Sequence, residues 1–468
     1  MANDHGFATA RRREGAPGAL FIAAVLLATV LNPLNSSTIS VALPVLLRQF
    51  HASTHDLIWL ISAYYFGIAL AQPVFGKLGD QFGYRLFAYL GLGLLAVPTL
   101  AAPFSPSFAW LVGWRAAQAI GTSMLYPSAI GLVRTHRDQD LGRILGWIGM
   151  AVGVALAVGP SLAGAILAIV GWRGIFWLNA PLIALIVILL HTGLRRHGEQ
   201  PKVPSVGTRG TIDFLGMGLL AGSLGLLLAA SATPGDPASP WLLAGGVFLV
   251  PWLWTTESRA KAPAFDVALL RRRPFAIAGV ITVFANFVMY VVLYGLPSLL
   301  ETERGLSPLT SGLLLLGFAG VLAIASPVAG RLAQGTSRRV PLLMAGGLLT
   351  SGSLLLVRSL SLPLPVVFLA LVLIGISFAL SNVLLQKLTL ENAPTESAGS
   401  ASGLYTLLRY LGTMGSSVAI AAALAQGHGA AFLLFSLAAM AAAGSLAVAM
   451  AVRDGPAAPR ELRQPTVR

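Results

Sequence analysis

The chain has 468 residues, of which 56% are hydrophobic and only 10% charged. Soluble domains carry about 25% charged residues, so a soluble globular protein of this length is excluded. The formal net charge of +14 raises nucleic acid as a partner, and the confinement of the charges to short segments between apolar runs argues against it.

There is no cysteine, which removes disulfides and thiolate metal sites. The seven histidines are scattered without metal-ligand spacing, and no Gly-x-x-x-x-Gly-Lys-Ser/Thr loop is present to hold a nucleotide. No cofactor or metal is expected. Neither a membrane enzyme nor a receptor finds support in a cluster of ionisable residues.

About 20 apolar residues span the hydrocarbon core as a helix. Runs of that kind predict helices over residues 18–46, 57–76, 86–104, 108–133, 142–170, 173–194 and 212–232. They continue over 240–256, 275–300, 309–331, 340–358, 363–386, 398–425 and 430–452. Arg11, Arg12 and Arg13 precede the first run. That run is too long for a cleaved leader and reads as a retained first helix. Fourteen spans place both termini on one side. Of the 31 Lys and Arg, 25 then fall on the side of the N-terminus, four on the other, and two, Arg115 and Arg409, within helices. Lys and Arg are retained in the cytoplasm, so both ends are expected inside a cytoplasmic (inner) membrane.

Two polar segments divide the chain. Residues 195–211 hold Pro201 and Pro204, and 257–274 hold Arg271-Arg272-Arg273-Pro274. The expected organisation is an N-tail (1–17), a six-helix bundle (18–194), an inserted helix pair with its linkers (195–274), a second six-helix bundle (275–452) and a C-tail (453–468). Gly76-Lys77-Leu78 after the second helix is echoed by Gly330-Arg331-Leu332 after the tenth. Internal repeats of this kind mark secondary transporters.

The stretch Gly76-Lys77-Leu78-Gly79-Asp80-Gln81-Phe82-Gly83-Tyr84-Arg85 resembles the loop between helices two and three of the major facilitator superfamily. Its glycines permit a tight turn and Asp80 offers an acceptor at the membrane surface. The resemblance implies that Asp80 latches one conformation by meeting the N-terminus of a helix in the other half, near Ser397 to Ser400. The alternative is an ordinary basic turn. Arg115-Ala116-Ala117-Gln118-Ala119-Ile120-Gly121 resembles the superfamily motif Arg-x-x-Gln-Gly-x-Gly, departing at Ala119. An arginine at a helix centre costs about 2.5–3.5 kcal/mol on insertion scales. The resemblance gives Arg115 and Gln118 a part in proton transfer or substrate contact; a snorkelling arginine is the other reading.

Gly149, Gly153, Gly159-Pro160 and Gly164 resemble the antiporter motif Gly-x-x-x-Gly-Pro-x-x-Gly-Gly, departing at Ala155 and Ala165. Small residues at this spacing let helices approach closely, and Pro160 kinks the helix. Leu34 to Pro44, Trp172 to Pro181, and Arg409-Tyr410-Leu411-Gly412 with Gly415 are similar to motifs of the fourteen-helix drug/proton antiporter branch (EmrB/QacA type). The resemblance implies an all-α integral membrane protein of two six-helix pseudo-repeat bundles plus an inserted pair. It implies a monomer that exports small amphipathic molecules in exchange for protons, or carries a specific metabolite, peptide or lipid.

One departure bears on coupling. The branch has an aspartate where this chain has Asn35, and an asparagine where it has Ser40. All seventeen acids fall at or beyond the expected helix ends. Proton coupling needs a group whose pKa changes with access, and Glu301, Asp56 and Asp213 are the remaining candidates. Asn35-Ser36-Ser37 matches a glycosylation sequon but lies within a helix. Candidate pocket residues at mid-depth are Asn35, Ser36, Tyr64, Tyr65, Gln118, Asn286, Tyr290, Tyr294, Asn382, Gln386, Tyr405 and Arg409. Arg115 and Arg409 would suit an anion. Each of these polar groups alone is more often a satisfied helix–helix contact, and as a set they are the only polar groups available there.

Overall fold

In the computed structural model of the protein, the described residues are 18–52, 54–137, 141–195, 213–232, 236–260, 263, 266–306, 308–335, 337–393, 398–425 and 429–452. The expected tails, the linker 196–212 and Ser397 lie outside them. The helices in the first part are α1 (Ala19–Phe50), α2 (Thr54–Phe82), α3 (Tyr84–Ala101), α4 (Phe108–Arg137), α5 (Leu141–Ile169), α6 (Arg173–Trp177) and α7 (Asn179–Arg195). Then come α8 (Phe214–Ala232), α9 (Ser239–Arg259) and the short α10 (Ala268–Arg271). The last part holds α11 (Arg273–Tyr290), α12 (Leu296–Arg304), α13 (Pro308–Leu332), α14 (Arg339–Leu356), α15 (Leu364–Glu391), α16 (Ala398–Ala425) and α17 (Ala430–Met450).

Among the described residues, nine helices are long and apolar enough to cross a membrane. α2, α4, α8, α9 and α16, of 19 to 30 residues, occupy the chain positions of the other five expected spans. The outer surface is apolar. Leu86, Leu90, Leu94 and Val97 line one face of α3 and are each more than two-fifths exposed, the inverse of a water-soluble helix.

Two expected helices are broken, each beside a proline. The helix expected over 173–194 divides at Leu178, between α6 and α7. Pro181 lacks the N–H that would bond the carbonyl four residues back. The helix expected over 275–300 passes through a π-helical stretch, Val291–Gly295, before α12. There Pro297 leaves the Leu293 carbonyl without its usual donor. Such bulges recur at functional sites, and this one carries Tyr294 beside Tyr290.

Helices α1 to α7 pack on one another, as do α11 to α17. The two groups meet along α5 against α13 and α2 against α16, while α8 and α9 pair together with α8 resting on α2 and α16. One apolar cluster runs across both groups at the end where α1 starts, joining Ile144, Leu145 and Ile148 to Ala329, Ala333 and Val383. The buried members of the other three clusters stay within one group each. The groups are therefore welded at one end, called here the basic end because most of the Lys and Arg among the described residues lie there.

Glu257 departs from the expectation that every acid lies at or beyond a helix end. α9 runs to Arg259, three residues past the expected boundary, and Glu257 is only 1% exposed. It is packed where a side chain on Gly216 of α8 would sit. Asp213, Glu257 and Asp266 surround Lys77 at the end of α2, and the Lys77 ammonium donates to the Pro263 carbonyl.

Candidate functional site: a sealed end beneath a tyrosine-lined cavity

At the basic end, α2 stops at Phe82 and the chain turns through Gly83, whose φ of 99° is a conformation glycine adopts at no steric cost. The turn brings Tyr84 back over Asp80, and the Tyr84 hydroxyl donates to Asp80 Oδ1 at 2.7 Å. The other oxygen, Oδ2, accepts the Ser400 backbone N–H at 2.8 Å and the Ser400 hydroxyl. Ser400 lies in the first turn of α16, where unsatisfied N–H groups favour an anion. Gly79 sits against the Tyr84 ring, and Gly131 of α4 leaves the space that ring fills. Gly76 is buried and Arg85 half-buried beside this turn.

Arg134 makes a second cross-link that the sequence reading passed over as one more loop charge. It is 7% exposed near the end of α4 and donates from Nη2 to the Ala393 carbonyl at 2.7 Å. Arg272 reaches the adjacent Asn392 carbonyl at 2.5 Å. Both guanidiniums meet the negative end of the α15 dipole. Arg338 and Lys387 pair with Glu391 at 2.8 and 3.4 Å.

Above this seal lies a cavity of about 150 Å³ between the two helix groups. A cavity of this size holds a benzene-sized guest. Of the expected pocket residues, Ser36, Tyr65, Asn286, Tyr290, Tyr294 and Arg409 line it. Tyr290 and Tyr294 are stacked with centroids 5.7 Å apart, and Tyr65 meets Tyr290 edge-on and Tyr294 hydroxyl to hydroxyl at 3.4 Å. Asn35, Tyr64, Gln118, Asn382, Gln386 and Tyr405 do not line it. Tyr405 donates to Asn382 across 3.4 Å. The lining also includes Asn32, Gln72, Tyr126 and Tyr410, which the sequence reading missed. Asn32 donates to the Tyr410 hydroxyl at 2.6 Å. Tyr410 follows Arg409 directly, a signal available in the sequence.

A sequence profile of the Major Facilitator Superfamily matches residues 25–417. The chain belongs to this superfamily. It is 36% identical over 409 residues to an uncharacterised MFS-type transporter, YwoD, of Bacillus subtilis, covering 86% of this chain and 89% of that one. It is 31% identical over 407 residues to the tetracenomycin C resistance and export protein of Streptomyces glaucescens, covering 84% and 74%. Its fold is similar to that of the human organic anion transporter MFSD10, with a TM-score of 0.67 at 18% identity over 92% and 99% of the two chains. The protein is thus a multi-pass membrane transporter of small molecules.

In this facilitator Arg115 is buried within α4 at 2% exposure, so it does not snorkel to the surface. Its guanidinium lies 4.1 Å from the centroid of the Tyr64 ring and donates from Nη1 to Gln118 Oε1 at 2.9 Å. Tyr65 and Tyr294, which line the cavity, are close enough to feel its charge.

The glycines of α5 divide by neighbour. A Cβ on Gly153 would meet the Ala323 backbone nitrogen at 2.6 Å, and one on Gly149 the Ser326 hydroxyl at 2.7 Å, both in α13. Gly159 abuts Ser37 of α1, Pro160 lines the cavity, and Gly164 faces open space. Gly146 and Gly142, outside the motif, also face Gly330 of α13: a Cβ on Gly146 would meet its Cα at 2.9 Å and one on Gly142 its carbonyl at 3.2 Å.

Of the acidic candidates, neither Asp213 nor Glu301 lines the cavity. Asp213 caps α8, accepting the Gly216 N–H at 2.8 Å. Glu301 is half-buried in α12, and the side chain of Asp56 lies outside the described residues. Asn35, 4% exposed, accepts from Asn179 Nδ2 at 2.8 Å.

Proposed function

We propose that the chain is a secondary active exporter of small amphipathic molecules, working by alternating access in exchange for protons. Fourteen spans, arranged as two six-helix pseudo-repeats with α8 and α9 inserted, would hold it as a monomer in the cytoplasmic membrane with both termini inside. The observation that carries the reading is the cavity's position. It lies between the two helix groups, above a basic end closed by the Asp80–Ser400 contact, and among the described residues no cluster of fully buried apolar side chains joins the groups at the other end. Rocking about such a site, with Asp80 as the latch, is how one cavity serves two sides in turn. The tetracenomycin exporter among the relatives supports the outward direction. Arg115 and Gln118, joined by a hydrogen bond, are assigned to substrate contact and to the fixed charge that a coupling group would feel. Neither titrates, so the titrating group is sought among Glu301, Asp56 and Asp213. The small-residue face of α5 is the sliding surface against α13.

The test is transport into inside-out vesicles under an imposed pH gradient, interior acid. Accumulation of a tested drug should collapse when the gradient is dissipated. Accumulation indifferent to the gradient would remove proton antiport and leave a carrier with other coupling, and equilibration without accumulation would leave facilitated transport. A second reading, a carrier of one native metabolite, peptide or lipid with other coupling, is favoured by Asn35. Its amide oxygen accepts from Asn179, and an amide cannot titrate.

A further inference from the structure

We propose that the cavity selects planar aromatic anions, with Arg409 as the anchor for the carboxylate or sulfonate; this rests on the cavity being the transport site. Arg409 is the one charged side chain among the described residues that line it. It stands eleven residues into α16, deep in the bundle. Its Nε reaches Asn286 Oδ1 only across 3.4 Å, a weak contact at that length. Tyrosines 126, 405, 410 and 290 surround it, and none carries a formal negative charge at neutral pH. The described lining contains no Asp or Glu.

The second cation, Arg115, adds to the same field, within electrostatic range of Tyr65 and Tyr294. Its guanidinium plane is taken by Tyr64 and one of its nitrogens by Gln118, and it does not line the cavity. Arg409, whose side-chain hydrogen bonds go to the neutral side chains of Tyr126 and Asn286, is the guanidinium a ligand in the cavity can reach. Two guanidiniums without a carboxylate make an electropositive cavity in a medium of low dielectric. A cationic ligand meets repulsion with nothing to offset it, whereas an anion supplies the missing counter-charge through bidentate, charge-assisted hydrogen bonds. The stacked pair Tyr290–Tyr294, with Tyr65 edge-on, offers a flat aromatic wall beside that fork. Ring pairs favour such offset and edge-to-face arrangements. The cavity's volume of about 150 Å³ fits one or two fused rings in this conformation.

The experiment uses the purified full-length protein in nanodiscs and three probes of one shape: 2-naphthoate, 2-naphthamide and 2-naphthylmethylammonium. Calorimetric titration of the unmodified protein should give at least tenfold tighter binding of naphthoate than of the amide, and no measurable binding of the cation. Arg409→Gln should bring naphthoate and amide within twofold of each other, while Arg409→Lys keeps a reduced preference for the anion. Equal binding of the three probes, tighter binding of the cation, no binding of naphthoate, or an anion preference that survives Arg409→Gln would each overturn the proposal. The first comparison needs no variant and so does not depend on the folding of one. Flux of neutral and cationic drugs in proteoliposomes, run in parallel, reports on the carrier reading separately. Transport of those drugs without anion preference would sink the anion assignment and leave the carrier standing.

Discussion

Asp80 and Ser400 are 320 positions apart in the chain and share two hydrogen bonds, from the Ser400 N–H and hydroxyl to one carboxylate oxygen. This contact ties the end of α2 to the first turn of α16. Hydrogen bonds to a charged group contribute about 1.5–3 kcal/mol each, and the two are not additive because they share an acceptor. Asp80→Ala is therefore expected to move the population at least tenfold toward the state open at the basic end. The chain has no cysteine, so Ala329→Cys, at a fully buried position in the weld, gives a reporter without background. Its alkylation by N-ethylmaleimide should accelerate by that factor in the Asp80→Ala background. Tyr84→Phe, which removes the hydroxyl donor to Oδ1, should give a smaller increase. Unchanged labelling in Asp80→Ala would show that the contact is not a latch.

The small residues of α5 make a second, graded prediction. A methyl on Gly146 would meet the Ser326 carbonyl at 2.8 Å and the Gly330 Cα at 2.9 Å, and one on Gly153 the Ala323 Cα at 2.8 Å. All are backbone atoms that cannot swing aside. Overpacking of this kind costs about 1–3 kcal/mol, so Gly146→Ala and Gly153→Ala should each raise labelling of Ala329→Cys roughly fivefold or more. Gly164→Ala, with no atom within 4 Å, should leave labelling and transport within twofold. If Gly164→Ala is the damaging change, the face of α5 that matters has been misassigned.

Much of this architecture was legible because a bilayer leaves few options. Apolar runs separated by basic loops gave helix positions close to those of the fold, and the Gly-Asp-Gly pattern around residues 79–83 marked the turn that Asp80 serves. Packing decided the rest. Glu257 looked like a loop acid because α9 was expected to stop at 256, and only the space left by Gly216 shows where its carboxylate lies. Arg134 was one basic residue among many until α4 and α15 were brought together. Tyr126 and Tyr410 reach the cavity because of the rotation of α4 and α16, which near-featureless apolar helices do not declare. The π-helical stretch at 291–295 follows from Pro297, a local signal that periodicity alone overlooks.

Arg115 and Gln118 test whether the buried pair acts as a unit. Gln118→Ala leaves a buried guanidinium nitrogen without its acceptor, a loss of about 1.5–3 kcal/mol for a charge-assisted bond. Transport of a drug substrate, measured as kcat/KM in proteoliposomes, is expected to fall roughly tenfold. Made in an Arg115→Ala background, the same change should cost less than twofold, since partners in one network are not additive. Arg115→Lys should fall with the alanine variant, because an ammonium cannot both cover the Tyr64 ring and keep the fork to Gln118. Additive losses from the two alanine variants would separate Arg115 from Gln118 and withdraw their joint role.

Asn35→Asp asks whether the first helix can be given a titratable group. Asn35 is buried and its Oδ1 already accepts from Asn179, so a carboxylate placed there inherits a donor. A buried carboxylate has its pKa raised by desolvation and lowered by such a donor and by nearby cations. Its charge also offsets part of the field of Arg115 and Arg409. The expected outcome is therefore double. Transport of a cationic dye such as ethidium should rise several-fold over the unmodified protein, and its rate should acquire a dependence on external pH within the range of 5 to 8. Thermal unfolding in nanodiscs, followed by tryptophan fluorescence, checks that the variant is intact. A well-folded Asn35→Asp protein that moves ethidium no faster, at any pH in that range, would mean that position 35 does not face the permeant in any state of the cycle. The coupling group would then have to be sought elsewhere, beginning with Glu301.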